Sequence, residues 1–206
     1  MPDQHYFRNL RIPSKEDPYR VLVSGCLLGI KCGVEGDNYG EYPSVLKLMQ
    51  LDNIKLIPFC PEEFSFGTPR EMCDIYGGDG GDVLDGTAKV LTTSGIDWSE
   101  GMIKGARKML EIAKINNVEF AILMDVSAAC GNHVIYDGNR YATDKRYQIG
   151  MGVCGALLHR EGFKLLSWRE YETLEILYSK TDPSHIPDAN AKDFDQHPWY
   201  QSYFKK

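Results

Sequence analysis

The 206-residue sequence has no apolar run approaching the roughly 20 residues that a membrane-crossing helix requires, no CxxC pair among its six cysteines, and no excess of basic charge. The first absence argues against a membrane span. The second argues against a local zinc finger, whose closed tetrahedral site is built from close cysteine pairs, and against a thioredoxin-type redox motif. With a formal net charge of -6 and scattered Lys and Arg, the chain is not expected to bind a nucleic acid duplex, because such affinity comes from neutralised phosphates. The opening residues are polar and hold no leader-like segment, so a cytoplasmic location is expected, in a compartment that keeps thiols reduced. Cysteines there serve as ligands, nucleophiles or buried thiols instead of disulfides. No internal repeat or low-complexity segment is present.

Residues 1–18 carry Pro13 and Pro18 and no sustained periodicity, and read as an N-terminal arm on the surface, with Tyr6, Phe7, Leu10 and Ile12 as its anchors. A single α/β domain is expected over 19–180. Its β-type runs are Tyr19–Gly25, Ile54–Phe59, Lys89–Thr93, Glu119–Val126 and Phe163–Trp168. Helical spacing marks Ser44–Leu51 and Ser99–Asn116, each opened by a serine suited to capping, and Gly150–Leu158 and Glu170–Tyr178. Residues 63–86 read as a long functional loop. The stretch from Thr181 to the end, with Pro183, Pro187, Pro198 and the aromatic run Trp199–Phe204, reads as an irregular C-terminal tail.

Strands alternating with helices predict a mostly parallel sheet, Rossmann-like, with helices on both faces. Parallel strands all end at one edge, where ligands bind. Cys26, Cys60 and Cys130 each follow a β-type run, 34 and 70 residues apart, so the fold is expected to gather them. Soft sulfur ligands suit zinc, copper(I) or an iron-sulfur cluster; a cluster held by three cysteines leaves one iron open to act as a Lewis acid. Cys73 and Cys154 read as small buried hydrophobes. Cys32, in the same loop as Cys26, is open between a fourth ligand, a resolving thiol and a sulfur carrier. His133 lies near the proposed site but reads as a satisfied or surface histidine, and the run Gly77–Gly86 as a tight acidic turn without EF-hand ligand spacing.

Ser24-Gly25-Cys26-Leu27-Leu28-Gly29 with Cys32, Cys60-Pro61-Glu62, Thr68-Pro69-Arg70, GGDGGDVLDG at 77–86, Ser127–Gly131 and Ile135–Gly138 together resemble a bacterial domain-of-unknown-function family that includes thiouracil desulfurase. The resemblance runs from about Tyr19 to Trp168. It implies a Rossmann-like domain carrying a 4Fe-4S cluster on Cys26, Cys60 and Cys130, and non-redox desulfuration of a small-molecule substrate, such as a thiolated nucleobase. It further implies Glu62 as a proton shuttle and Ser24 and Ser127 as hydrogen-bond donors to substrate. The chain departs from the family pattern at Cys32–Gly36, CGVEG in place of CRYDG, at Ala129, where a serine is usual, and at Met124, where a lysine is common. A reading from another class is a non-enzymatic metal- or ligand-binding sensor; a third, a thiol redox enzyme using Cys26 and Cys32, is disfavoured by their five-residue spacer.

Overall fold

A computed structural model describes residues 3–205. In chain order they form α1 (Gln4–Asn9), β1 (Tyr19–Ser24), α2 (Pro43–Leu46), β2 (Ile54–Phe59), α3 (Pro61–Phe66), β3 (Cys73–Tyr76), α4 (Gly80–Leu84), β4 (Lys89–Thr92), α5 (Ser99–Ile115), β5 (Phe120–Leu123), β6 (Val134–Asp137), β7 (Arg146–Ile149), α6 (Val153–Arg160), β8 (Lys164–Ser167), α7 (Tyr171–Thr181) and α8 (Pro198–Phe204). The central sheet is parallel, in the order β2-β1-β5-β8. Val21 pairs with Leu56 on one side and Phe120 on the other, and Phe120 with Lys164. Pro58 cannot donate to a ladder, and it is accommodated because β2 is an edge strand. Two antiparallel pairs, β3-β4 and β6-β7, stand beside this sheet.

Side chains alternate between the two faces of the sheet, and each face has its own core. Leu22, Ala121, Leu123 and Leu165 pack with Met102, Ala106 and Met109 of α5 and Val153 and Leu158 of α6. Tyr19, Val21, Val23, Phe120, Ile122 and Leu166 pack with Phe7 of α1, Val45 of α2 and Leu174, Leu177 and Tyr178 of α7. Helices thus cover both faces, as the alternation of elements predicts. Chain order reverses across the sheet between β1 and β5, and at such a reversal the flanking loops part to leave a crevice at the strands' C-terminal ends.

Several local expectations are corrected. The arm is not featureless: Asp3 accepts the Tyr6 N–H at 2.9 Å to cap α1, and Phe7 is fully buried edge-on against Phe120 at 5.3 Å, whereas Ile12 is exposed. Periodicity over six residues is too short to register in a sequence. Segment 63–86 is not a long loop, since it holds the end of α3, all of β3 and α4; Asp79 and Asp82 form a capping box that starts α4, the acidic-turn reading of that run. The tail contains α8, with Pro198 in its first turn, where proline's missing N–H costs nothing. The serine caps also differ. Tyr42 precedes α2 and Trp98 precedes α5; Ser44 donates to the Trp168 carbonyl at 3.4 Å, and Ser99 Oγ accepts the Val90 N–H at 3.0 Å, tying α5 to β4. Among the described residues no helix is long and apolar enough to cross a membrane.

Candidate active site

The ends of β1, β2 and β5 converge on a cavity of about 200 Å³, whose lining includes Cys26, Cys60, Cys130, Ser24, Ser127 and Glu62. The fold therefore brings the three cysteines expected at strand ends to one place. Each is delivered differently. Cys26 sits in a single 3-10 turn, Gly25–Leu28, that leaves β1 and is closed by Gly29 at φ +76, a left-handed conformation that glycine adopts at little cost. Cys60 ends β2 as the N-cap of α3, its sulfur accepting the Glu63 N–H at 3.4 Å.

Cys130 is presented by the turn that follows β5, and α6 holds that turn from behind. The N–H groups of Val153 and Cys154 bond to the carbonyls of Ala128 and Ala129 at 2.9 and 2.8 Å, so the turn satisfies donors that the helix start would otherwise leave open. Ser127 Oγ accepts the N–H groups of Ala129 and Cys130 at 3.2 and 3.1 Å. Ser24 Oγ accepts the Met124 N–H at 3.0 Å, joining the ends of β1 and β5, and also hydrogen-bonds the Cys130 thiol.

Cys32 belongs to the same cluster. Its thiol is buried and hydrogen-bonds to both Cys26 and Cys60; the Cys26 contact, with burial behind it and the Cys60 contact pulling the other way, pushes it up to about 12. Cys60 lies well above the usual thiol range because of its Cys32 hydrogen bond and then burial, and Cys130 is raised by burial, with the Ser24 hydrogen bond pulling the other way. These are neutral thiols in the metal-free protein, and a coordinated cation reverses that preference by deprotonating the thiols it binds. Cys73 and Cys154 are buried away from the cavity lining, and burial raises both.

Glu62, on the first turn of α3, faces the cavity with one oxygen 3.7 Å from Arg70 Nη2 and the other accepting from the Cys73 thiol at 3.7 Å. Four features of the lining were not legible from motifs. Asp125 is buried; its Oδ1 accepts the N–H groups of Val126, Asn132, His133 and Val134 between 3.0 and 3.4 Å and so gathers the loop after β5. The one available signal for it was its place at the end of the longest β-type run. Val126, β-branched, is held at φ +56, a strained conformation of the kind that concentrates at functional sites. Tyr39 and Arg140 reach the cavity from distant sequence, and nothing local announces them. His133 is satisfied, as expected: Nε2 lies 2.7 Å from the buried Glu170 carboxylate, whose pKa burial raises.

The donor set, three thiols around a cavity with a fourth behind them, is soft and fits an iron-sulfur cluster. Among the described residues no three His, Cys, Asp or Glu side chains are arranged to hold a single metal ion. A larger groove of about 670 Å³ beside α7 has no cysteine, histidine or aromatic residue in its lining.

Residues 21–170 match the family model for 2-thiouracil desulfurase. The uncharacterized protein YbbK of Bacillus subtilis (strain 168) is 41% identical over 151 residues, which cover 73% of this chain and 96% of YbbK. A solved structure, that of the 4Fe-4S-dependent thiouracil desulfidase TudS, is similar with a TM-score of 0.62 at 27% identity, over 78% of this chain and 98% of TudS.

Proposed function

The chain belongs to the 2-thiouracil desulfurase family, and from that membership and the cavity we propose that it is a cytoplasmic enzyme that desulfurates a small thiolated molecule, a thiolated nucleobase by class, using a 4Fe-4S cluster held by Cys26, Cys60 and Cys130. The observation that carries this reading is the meeting of those three thiols in one cavity at the switch point of the sheet. In the overall reaction a thiocarbonyl and water become a carbonyl and hydrogen sulfide, with no change of redox state. The cluster, when bound, supplies an open iron as a Lewis acid for the substrate sulfur.

The remaining work falls to the protein. Glu62 lies in the lining with its carboxylate held between Arg70 and Cys73, placed to take a proton from attacking water and return it to the departing sulfur. Ser127 accepts from two backbone donors, which leaves its own proton free to donate to substrate. Ser24 donates toward the Cys130 sulfur and steadies that ligand. Phe59, Met72 and Met124 supply an apolar part of the wall that excludes bulk water. The departures from the family pattern at Ala129 and Met124 alter the polar surroundings of substrate, so thiouracil itself is not assigned.

Anaerobic reconstitution with iron and sulfide tests the proposal. Wild type is expected to take up both and to develop a broad visible absorption, Cys154→Ala to behave the same, and Cys130→Ala to lose it. Zinc at one equivalent without iron in protein purified anaerobically, or an unchanged spectrum in Cys130→Ala, overturns it.

A further inference from the structure

Among the described residues Arg140 is the one positively charged residue in the cavity lining, and the fold holds it in a single orientation. Its Nε and Nη2 bond to Asp74 Oδ1 at 2.9 and 2.7 Å, Nη2 also to the Cys73 carbonyl at 3.1 Å, and its backbone N–H to Asp74 Oδ2 at 3.0 Å. The guanidinium lies 4.8 Å from the centre of the Tyr136 ring. Asp74 is itself buried. A bidentate pair of this kind fixes a planar fork far better than a single contact does.

One part of that fork is unused. Nη1 makes no hydrogen bond among the described residues, while every other edge of the guanidinium is engaged. The charge of Arg140 is matched by Asp74 and that of Glu62 by Arg70, and the buried carboxylate of Asp125 lines the same cavity with no ion pair among the described residues. An anionic ligand would meet that excess of negative charge, whereas a neutral carbonyl oxygen needs only a directed N–H donor.

Resting on the reading above, we propose that Arg140 is a specificity-determining residue whose Nη1 donates a hydrogen bond to a ring carbonyl oxygen of a neutral thiolated heterocycle. The residue thereby selects substrates that carry a carbonyl acceptor in addition to the thiocarbonyl. Nothing in the cysteine set would make that distinction, since the thiols address only the sulfur end.

The test crosses the residue with the functional group. Anaerobically reconstituted wild type, Arg140→Met, and the double variant Arg140→Met with Asp74→Asn, which removes both charges together, are compared on 2-thiouracil and on pyrimidine-2-thione, which lacks the ring carbonyl. The readouts are kcat/KM, its split into KM and kcat, and the change that each compound induces in the visible absorption of the cluster. Wild type is expected to prefer the carbonyl-bearing compound by about 10- to 100-fold, the worth of one charge-assisted hydrogen bond; both variants are expected to lose that preference through the carbonyl compound alone, mainly in KM. Equal loss on both compounds, an unchanged ratio, or tighter binding of a carboxylated thione by wild type overturns the proposal. A wild-type protein that takes up no cluster overturns the proposed function and this assignment with it; one that takes up a cluster but lacks the preference overturns the assignment alone.

Discussion

The carbonyl oxygen of Cys32 accepts a hydrogen bond from Arg70 Nη2 at 2.9 Å. Thirty-eight positions separate the two, yet the contact ties the loop after β1 to the segment after α3. Arg70 is almost wholly buried and also donates to the carbonyls of Gly33 and Gly67 at 3.3 and 3.1 Å. The same Cys32 carbonyl accepts from the Cys60 thiol at 3.8 Å. One guanidinium thus fixes the backbone from which Cys32 leans on both Cys26 and Cys60.

Arg70→Met is therefore expected to leave buried carbonyls without donors and Glu62 without its ion pair, at a cost of about 3 kcal/mol. Urea unfolding measures the cost. Iron and sulfide uptake in the same variant is expected to fall, because the loop carrying Cys26 and Cys32 loses its clamp.

Ser24→Ala removes the acceptor for the Met124 N–H and the hydrogen bond to Cys130. A loss of about 1–2 kcal/mol is expected from the buried unsatisfied donor, read as a lower denaturation midpoint with an unchanged slope. Ser127→Ala, whose parent residue is half-buried and serves backbone donors in a turn, is expected to cost less stability and more turnover.

Gly152 permits the close approach of α6 to the Cys130 turn. A Cβ there would lie 2.5 Å from the carbonyl carbon and oxygen of Ala129 and 2.6 Å from the Ser127 carbonyl oxygen, contacts with backbone that has nowhere to move. Gly152→Ala is expected to destabilise the protein by about 2–3 kcal/mol and to displace Cys130, so that cluster uptake falls along with the midpoint of thermal unfolding.

Asp97 accepts hydrogen bonds from the Ser99 hydroxyl at 2.6 Å and from its N–H at 3.0 Å. These bonds, with Lys89 adding to them, push its carboxyl from 3.8 down to about 2. A carboxyl depressed in the folded state favours folding above its unfolded pKa, and that contribution is lost as the pH falls through the folded value. Acid unfolding of Asp97→Asn is expected to show a shallower dependence on pH between about 4 and 2 than wild type; identical slopes would count against the assignment. The site is exposed, so the difference is small.

Two kinds of information were needed to reach this site. The apolar runs of Tyr19–Ser24 and Ile54–Phe59 were legible because strands of a parallel sheet covered by helices on both faces read as short continuous apolar stretches, and the helical stripe of Met102, Ala106 and Met109 because burying one face of a helix imposes a period on the residues that do it. The position of a cysteine after each of three runs was legible too, and the parallel order of the strands converts that linear pattern into a shared edge. Short elements escaped. The six residues of α1, the four of β3 and the first turn of α8 hold too few periods to rise above composition, and the serines at 44 and 99 bond to other elements instead of capping their own helices.

The sequence by itself determined the α/β class, the family and the place of Cys26, Cys60 and Cys130 after strand ends, because these depend on periodicity, on motifs and on residue types at strand ends. Only the tertiary structure decided that Cys32 joins the thiols, that Asp125 and Arg70 hold the loops that carry them, and that Arg140 enters the cavity. Those outcomes rest on hydrogen bonds and ion pairs between residues such as Asp74 and Arg140, 66 positions apart, and no local pattern encodes a contact whose partners meet only after the sheet has formed.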